Sequence, residues 1–209
     1  MPVRAIQKLI KRRRQKRARR AFEHFPIGEG DLVIDAGANF GSVTLRLLGQ
    51  GARVLAFEPN PVAFRHLERA FGDHPQVQCI PKGLSDHNGK ARLYLHKRHE
   101  DNALFYSEAA SLMADKRNIN PDAGVEIELL DIAELIEAQE GRIRLLKLDI
   151  EGGEYAVLHR LLDTGLIKRI DQVFCETHEL KIPSCRRETR RLRRRLADMD
   201  IRHVNLDWV

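Results

Sequence analysis

The chain has 209 residues, enough for one domain with a sizeable core and short for two. Its 36 Lys and Arg against 30 Asp and Glu give a net charge of +6, and 43% of the residues are hydrophobic, the balance of an ordinary globular protein. No apolar run approaches the ~20 residues a membrane span needs, and no apolar stretch follows the basic N-terminus, so neither a transmembrane helix nor a signal peptide is expected.

The charge is unevenly spread. Residues 1–25 carry ten Lys and Arg against the single acid Glu23, a net of +9, which leaves the remainder at −3. A second basic block, Lys181 to Arg202, holds nine Lys and Arg against Glu188, Asp198 and Asp200. Both blocks read as outer faces that meet something anionic. Cys79, Cys175 and Cys185 show no C-x-x-C spacing and read as small apolar residues in a reducing, cytoplasmic setting.

In chain order, Pro2 to Phe25 reads as a basic helical arm. Val3, Ile6 and Ile10 fall near one face, and Ala18, Ala21, Phe22 and Phe25 resume a face further on. Residues 26–209 form the remaining domain. Leu32–Asp35 is a short strand ending at an acid, then come the turn Gly37–Gly41 and a helix from Ser42 to Leu48. Arg53–Phe57 is a second strand ending at Glu58, with Pro59 and Pro61 opening a helix to about Phe71. Val77–Pro81 is a third strand. Ala91–His96 and Val125–Leu130 flank a long polar loop, Arg98–Gly124. Asp131 is placed to cap the helix Ile132–Gln139. Ile143–Leu148 is a buried strand ending at Asp149, followed by a helix Glu154–Leu162. Ile170–Cys175 is a strand ending at Glu176. A helix from Ser184 to Met199 and a strand Ile201–Leu206 close the chain. Alternating strand and helix periods argue for an α/β fold: a mostly parallel twisted sheet with helices on both faces.

The strongest local signal is Asp35-Ala-Gly37-Ala-Asn39-Phe-Gly41 between a strand and a helix. Glycines let backbone approach a ligand closely, and the helix N-terminus offers free N–H groups. Glu58, at the end of the second strand, stands where an acid accepts both ribose hydroxyls. The spacing is G-x-x-x-G, so the dinucleotide fingerprint G-x-G-x-x-G is absent. An acid before the glycine turn suits a cofactor bearing an ammonium and a sulfonium, and points to S-adenosyl-L-methionine over NAD.

Six blocks then occur in order: IDAGANFGSVTL, AFEPNP, GLSDHNGKARLYL, ELLDIAEL, LLKLDIEGGEYAVL and QVFCETHE. Together they resemble the FkbM family of methyltransferases from Val33 to Glu179, most distinctively in Lys147 to Glu154. The resemblance implies a class I, Rossmann-like methyltransferase fold, S-adenosyl-L-methionine as cofactor, and methyl transfer to a hydroxyl of a small molecule, sugar or glycolipid. It implies Asp35, Gly37, Asn39 and Gly41 around the methionine part and Glu58 on the ribose, with Asn60 close by. It also implies Ser85 and Asp86 at the adenine and Asp149 beside the methyl group. The basic arm lies outside the family pattern, and the chain ends soon after the sixth core strand, so the usual antiparallel seventh strand is in question.

Methyl transfer from a sulfonium needs alignment of acceptor and methyl, and a hydroxyl acceptor needs a base. Asp149, Glu151, Glu176 and His178 sit at strand ends where α/β sheets bind ligands. Asp149 or His178 is the expected base, and Lys147, on the same side of its strand as Asp149, is a candidate to pair with it. The plainer readings are helix capping for Asp149 and Glu151, and a solvated loop position for His178. No ligand spacing is diagnostic of a metal, and none is assigned. In the loop 98–124, Asn102, Phe105, Tyr106, Ser111 and Leu112 suit either a lid over the acceptor or a surface insert. The arm reads as a solvated charge run, as a helix on an anionic membrane surface (a peripheral location at the inner membrane), or, with no aromatic residues interleaved, as a weaker nucleic-acid contact. An RNA methyltransferase and a non-catalytic cofactor-binding or assembly subunit are the competing functions.

Overall fold

The computed structural model describes residues 3–98, 110–113, 118–179, 182 and 184–208, with side chains from Leu9 onward. Helix α1 (Val3–Glu23) leads into β1 (Leu32–Ala36), α2 (Ser42–Leu48), β2 (Arg53–Phe57), α3 (Pro61–Phe71) and β3 (Val77–Ile80). Three strands follow: β4 (Lys82–Ser85), β5 (Gly89–His96) and β6 (Ile119–Asp131). Then come α4 (Ile132–Glu137), β7 (Ile143–Leu148), α5 (Glu154–Asp163), a 3-10 turn (Leu166–Arg169), β8 (Ile170–Cys175), α6 (Cys185–Asp198) and β9 (Val204–Asn205).

Six strands form one sheet in the order β3-β2-β1-β7-β8-β9, every neighbouring pair parallel. β1 is buried along its whole length and β7 at five of its six positions, as strands covered on both faces must be. One face carries Ile132, Ile136, Leu158, Leu161 and Leu192 from α4, α5 and α6, and the other Leu47, Leu67 and Phe71 from α2 and α3. Local chemistry sets the helix starts. Asn60 accepts the Val62 N–H at 2.9 Å with Pro61 behind it, and Asp131 caps α4 on the Ala133 N–H at 2.8 Å. Three further strands make a second sheet, β4-β6-β5, with β4 parallel and β5 antiparallel to β6.

Three expectations change. The expected strand Val77–Pro81 is β3, and just beyond Pro81, which has no N–H for the ladder, an unexpected strand β4 enters the second sheet. The polar loop is shorter than expected because β6 already begins at Ile119. The last strand shrinks from Ile201–Leu206 to Val204–Asn205 and runs parallel to β8; no antiparallel strand joins the main sheet among the described residues.

The arm is docked rather than free along its C-terminal half. Ala18 and Phe22 are buried, and Phe22 packs edge-on to Phe174 at 5.2 Å and against Trp208 at 5.1 Å between ring centroids. One turn-spaced face, Lys11, Gln15, Ala18, Phe22 and Phe25, turns inward, and Lys11 pairs with Glu179 at 2.9 Å. Ala21, expected on that face, is exposed. No described helix is long and apolar enough to cross a membrane.

Candidate active site

A cavity of about 560 Å³ opens at the C-terminal ends of β1, β2, β7 and β8, where the strand order reverses between β1 and β7. Its volume falls within the ~300–1,000 Å³ of small-molecule sites. The second sheet and the segment 110–113 roof it through Leu84, Leu93, Ala110 and Leu112.

On the β1–β2 side, Gly37 and Asn39 have positive φ, and the Asn39 N–H donates to Glu58 Oε2 at 2.9 Å. A Cβ on Gly37 would lie 1.8 Å from the Asp149 carbonyl oxygen, so only glycine lets this turn pass the end of β7. Gly41 has a different duty. A Cβ there would meet Phe71 at 2.3 Å and Leu67 at 2.9 Å, so it packs α2 onto α3 rather than lining the cavity. Glu58 is buried and faces the cavity, with the Asn60 N–H on Oε1 at 2.8 Å. Burial raises its pKa to about 7, against the lowering effect of those two N–H groups and the Lys147 charge. Each oxygen keeps lone pairs for a further donor, as a vicinal diol requires. Asn39 Oδ1 is buried and has no hydrogen bond among the described residues.

Asp35 is fully buried and committed to the scaffold. Its Oδ2 accepts from Thr44 Oγ1 at 2.7 Å, and its Oδ1 lies 3.1 Å from Lys147 Nζ. The two residues are direct partners in the β1–β7 register. Lys147 also donates to the carbonyls of Ala36 at 3.1 Å and Gly37 at 2.6 Å, so it fastens the glycine turn. Burial alone would lower its pKa, but the charges of Asp35 and Asp149 raise it. Its ion-pair partner is thus Asp35; Asp149 acts on it through the field.

Across the cavity, Asp149, Glu151 and Glu176 line the wall and His178 lies beneath them with a fully buried side chain. His178 Nε2 is 3.1 Å from Glu151, 3.6 Å from Asp149 and 3.8 Å from Glu176. Nδ1 is 3.2 Å from Glu154, yet neither ring nitrogen has an aligned hydrogen bond among the described residues. Burial opposes the charged imidazole, but Glu154, then Glu151 and Glu176, outweigh it and push the pKa up to about 9. Sequence reasoning overlooked Glu154. This buried acid accepts the Ile150 N–H at 2.9 Å and the Gly152 N–H at 3.0 Å, and so shapes the 149–153 turn, where Glu151 takes φ 54. An acid in the first turn of a helix after two glycines was the available signal.

Ser85 and Asp86 are not among the residues lining the cavity; β4 contributes Gly83 and Leu84 instead. Ser85 donates to Asp86 Oδ1 at 3.2 Å, and His87 sits on the same oxygen at 2.6 Å and lowers the Asp86 pKa. Ser111 is buried. It bridges to Tyr94 and donates to the Glu151 carbonyl at 2.6 Å, which ties the roof to the acidic wall, while Leu112 faces the cavity. Asn102, Phe105 and Tyr106 lie outside the described residues. Among the lining residues that were not foreseen are Arg19 of α1 and Trp208.

Residues 35–202 match the family described as methyltransferase FkbM domain. The chain is 27% identical to Methyltransferase 1 of Beauveria bassiana (strain ARSEF 2860), over 78% of the chain and 70% of the relative. It is 30% identical to methyltransferase sdnD of Sordaria araneosa, over 60% of the chain and 58% of the relative. A match to the AMB antimetabolite synthetase AmbE of Pseudomonas aeruginosa, at 28% identity, covers 71% of the chain and 8% of that protein. Among solved structures, a TehB-like SAM-dependent methyltransferase from Corynebacterium glutamicum aligns over 77% of the chain and 66% of its own, with 12% identity and a TM-score of 0.33.

Proposed function

The chain belongs to the FkbM methyltransferase family and is a methyltransferase, and on that premise we propose that it uses S-adenosyl-L-methionine to methylate a hydroxyl oxygen of a small molecule, sugar or glycolipid. The observation that carries the cofactor is Glu58, a buried carboxylate on the cavity wall held by two backbone N–H groups with lone pairs to spare. Its fit to a ribose diol is matched on the same side by Asn39 Oδ1, a buried acceptor with no donor among the described residues, which suits an ammonium. When bound, the cofactor supplies a methyl group already activated by its sulfonium. The protein's tasks are then alignment, at ~7–11 kcal/mol of barrier, and proton removal.

Asp149 is the proposed base. Its side chain is 31% exposed and lines the cavity, so it can meet an acceptor hydroxyl. His178 does not line the cavity; it lies beneath Asp149, Glu151 and Glu176 with Nε2 within 3.8 Å of each and acts as a positioning residue for them. Lys147 acts as a positioning residue through the glycine turn.

We propose also that the outer face of α1 rests on an anionic lipid surface. Leu9 and Ile10 are exposed at 53% and 46%, beside exposed Arg12, Arg13, Lys16 and Arg17. Arg19, on the same helix, lines the cavity mouth, which favours an acceptor presented at that surface.

The decisive experiment incubates the full chain with methyl-labelled S-adenosyl-L-methionine and a cell extract separated into small-molecule, lipid, polysaccharide, RNA and protein fractions. Label in a small-molecule, lipid or polysaccharide fraction, lost in Glu58→Ala and Asp149→Ala, is the expected result. Label in RNA overturns the acceptor class, and cofactor binding without label anywhere favours a non-catalytic subunit.

A further inference from the structure

We propose that Asp149, Glu151 and His178, with Glu176 beside them, hold one divalent cation of the Mn²⁺ or Mg²⁺ type at the acceptor end of the cavity. One nitrogen and two carboxylate oxygens from the first three residues lie within 4.8 Å of one another. An octahedral ion with bonds of about 2.0–2.2 Å sets neighbouring donors roughly 3 Å apart. The 3.1 Å from His178 Nε2 to Glu151 meets that spacing, and the 3.6 Å to Asp149 is close to it.

The second observation is the state of His178. Its side chain is fully buried, its Nε2 has no aligned hydrogen bond among the described residues, and that atom aims into the carboxylates. A single N–H on Nε2 serves one carboxylate, whereas oxygens of three lie within 3.8 Å. An ion between them meets all at once. The other side of the ring is arranged to match. Nδ1 faces Glu154, and Glu154 is itself fixed by the Ile150 and Gly152 N–H groups. A carboxylate behind a histidine places the proton on the rear nitrogen and leaves the front lone pair for a metal. One imidazole among carboxylates favours a mainly oxygen-seeking ion, with Mn²⁺ more tolerant of the nitrogen than Mg²⁺.

Asp149, Glu151 and Glu176 all line the cavity, so the open positions of the ion face the acceptor. This role rests on the methyl-transfer reading above: the ion binds the acceptor hydroxyl together with a neighbouring oxygen and lowers the pKa of the hydroxyl, while Asp149 receives its proton. The acceptor is then a chelating one, a vicinal diol or an α-hydroxy acid.

The test needs neither cofactor nor acceptor. The full chain, stripped with EDTA, is titrated with Mn²⁺ while the electron paramagnetic resonance signal of the free ion is followed. One Mn²⁺ per chain, bound at least tenfold more weakly by Asp149→Asn and His178→Ala and unaltered by Glu58→Ala, is expected. Asp149→Asn decides the question if His178→Ala fails to fold, because residue 149 is partly exposed and the change keeps its shape. No saturable binding, or equal binding by Asp149→Asn, overturns the site and leaves methyl transfer standing. Metal bound at this site, with label transfer indifferent to EDTA, overturns only the role in activating the acceptor.

Discussion

The floor of the cavity holds two buried acid–cation pairs, Asp35 with Lys147 and Glu154 with His178, and they differ in what is left over. In the first, Asp35 Oδ2 accepts from Thr44, its Oδ1 lies 3.1 Å from Lys147 Nζ without an aligned hydrogen bond among the described residues, and Lys147 donates to two backbone carbonyls. In the second, neither ring nitrogen has an aligned hydrogen bond among the described residues, and Glu151 and Asp149 press on Nε2 from the cavity side. A buried pair whose cation donates into the backbone is architecture, and it holds the glycine turn at the junction of β1 and β7. One with charge left unmet is poised for something that arrives from outside.

The contrast between the two pairs is tested most severely at Asp149. With Asp149→Asn, label transfer in a single-turnover assay is expected to fall by ~10²–10⁴-fold while cofactor affinity, read by calorimetry, stays nearly unchanged. A parallel loss of affinity would move Asp149 from chemistry to binding.

Removing Lys147 should cost almost as much, but in stability. Lys147→Met strands Asp35 in the core, and urea denaturation is expected to register a loss of about 3–5 kcal/mol. The double variant Asp35→Leu with Lys147→Met should recover most of it, since replacing both members of a buried pair is often neutral. If it does not, the pair does more than hold the turn.

Glu58 yields a pH effect of intermediate size. Its folded pKa of about 7 lies above the ordinary 4.5, so between these values the folded chain keeps a proton that the unfolded chain gives up. Stability from this group is therefore present at low pH and lost as pH rises through that window. Cofactor affinity should run the other way, weakening by up to about tenfold per unit below pH 7 because the ionised carboxylate accepts hydroxyls better. A Glu58→Gln variant should show neither slope, in melts or in calorimetry across pH 5–8.

The smallest effect concerns the arm. Leu9→Ser should lower co-sedimentation with phosphatidylserine vesicles severalfold and leave binding of soluble cofactor alone. Retention unaffected by either Leu9→Ser or raised salt would remove the lipid surface from consideration.

Much of the β1–β2 half was legible in the sequence, because its devices are local. A glycine turn after a strand, an acid at a strand end and an Asn-Pro helix start each carry their own backbone logic within a few residues. The opposite wall was legible only as a set of residue types. Glu154 acts by folding back onto N–H groups of Ile150 and Gly152, and His178 comes to it from the segment after β8, neither of which leaves a spacing to read. Asn120, Pro121 and Asp122 carry turn chemistry, yet they lie inside β6, where the β5–β6 register shifts between Tyr94 and His96. Arg19 and Trp208 reach the cavity through the docking of α1 and the chain end, contacts that no local pattern announces.

The near-zero clearance between Gly37 and the Asp149 carbonyl has a thermodynamic meaning. The turn proposed to meet the cofactor and the residue proposed to meet the acceptor share one wall, with no side chain to cushion them. A shift of either ligand is transmitted to the other across that contact, so their binding is expected to be coupled rather than independent. By linkage, whatever factor the cofactor adds to the grip on the acceptor, the acceptor returns to the cofactor.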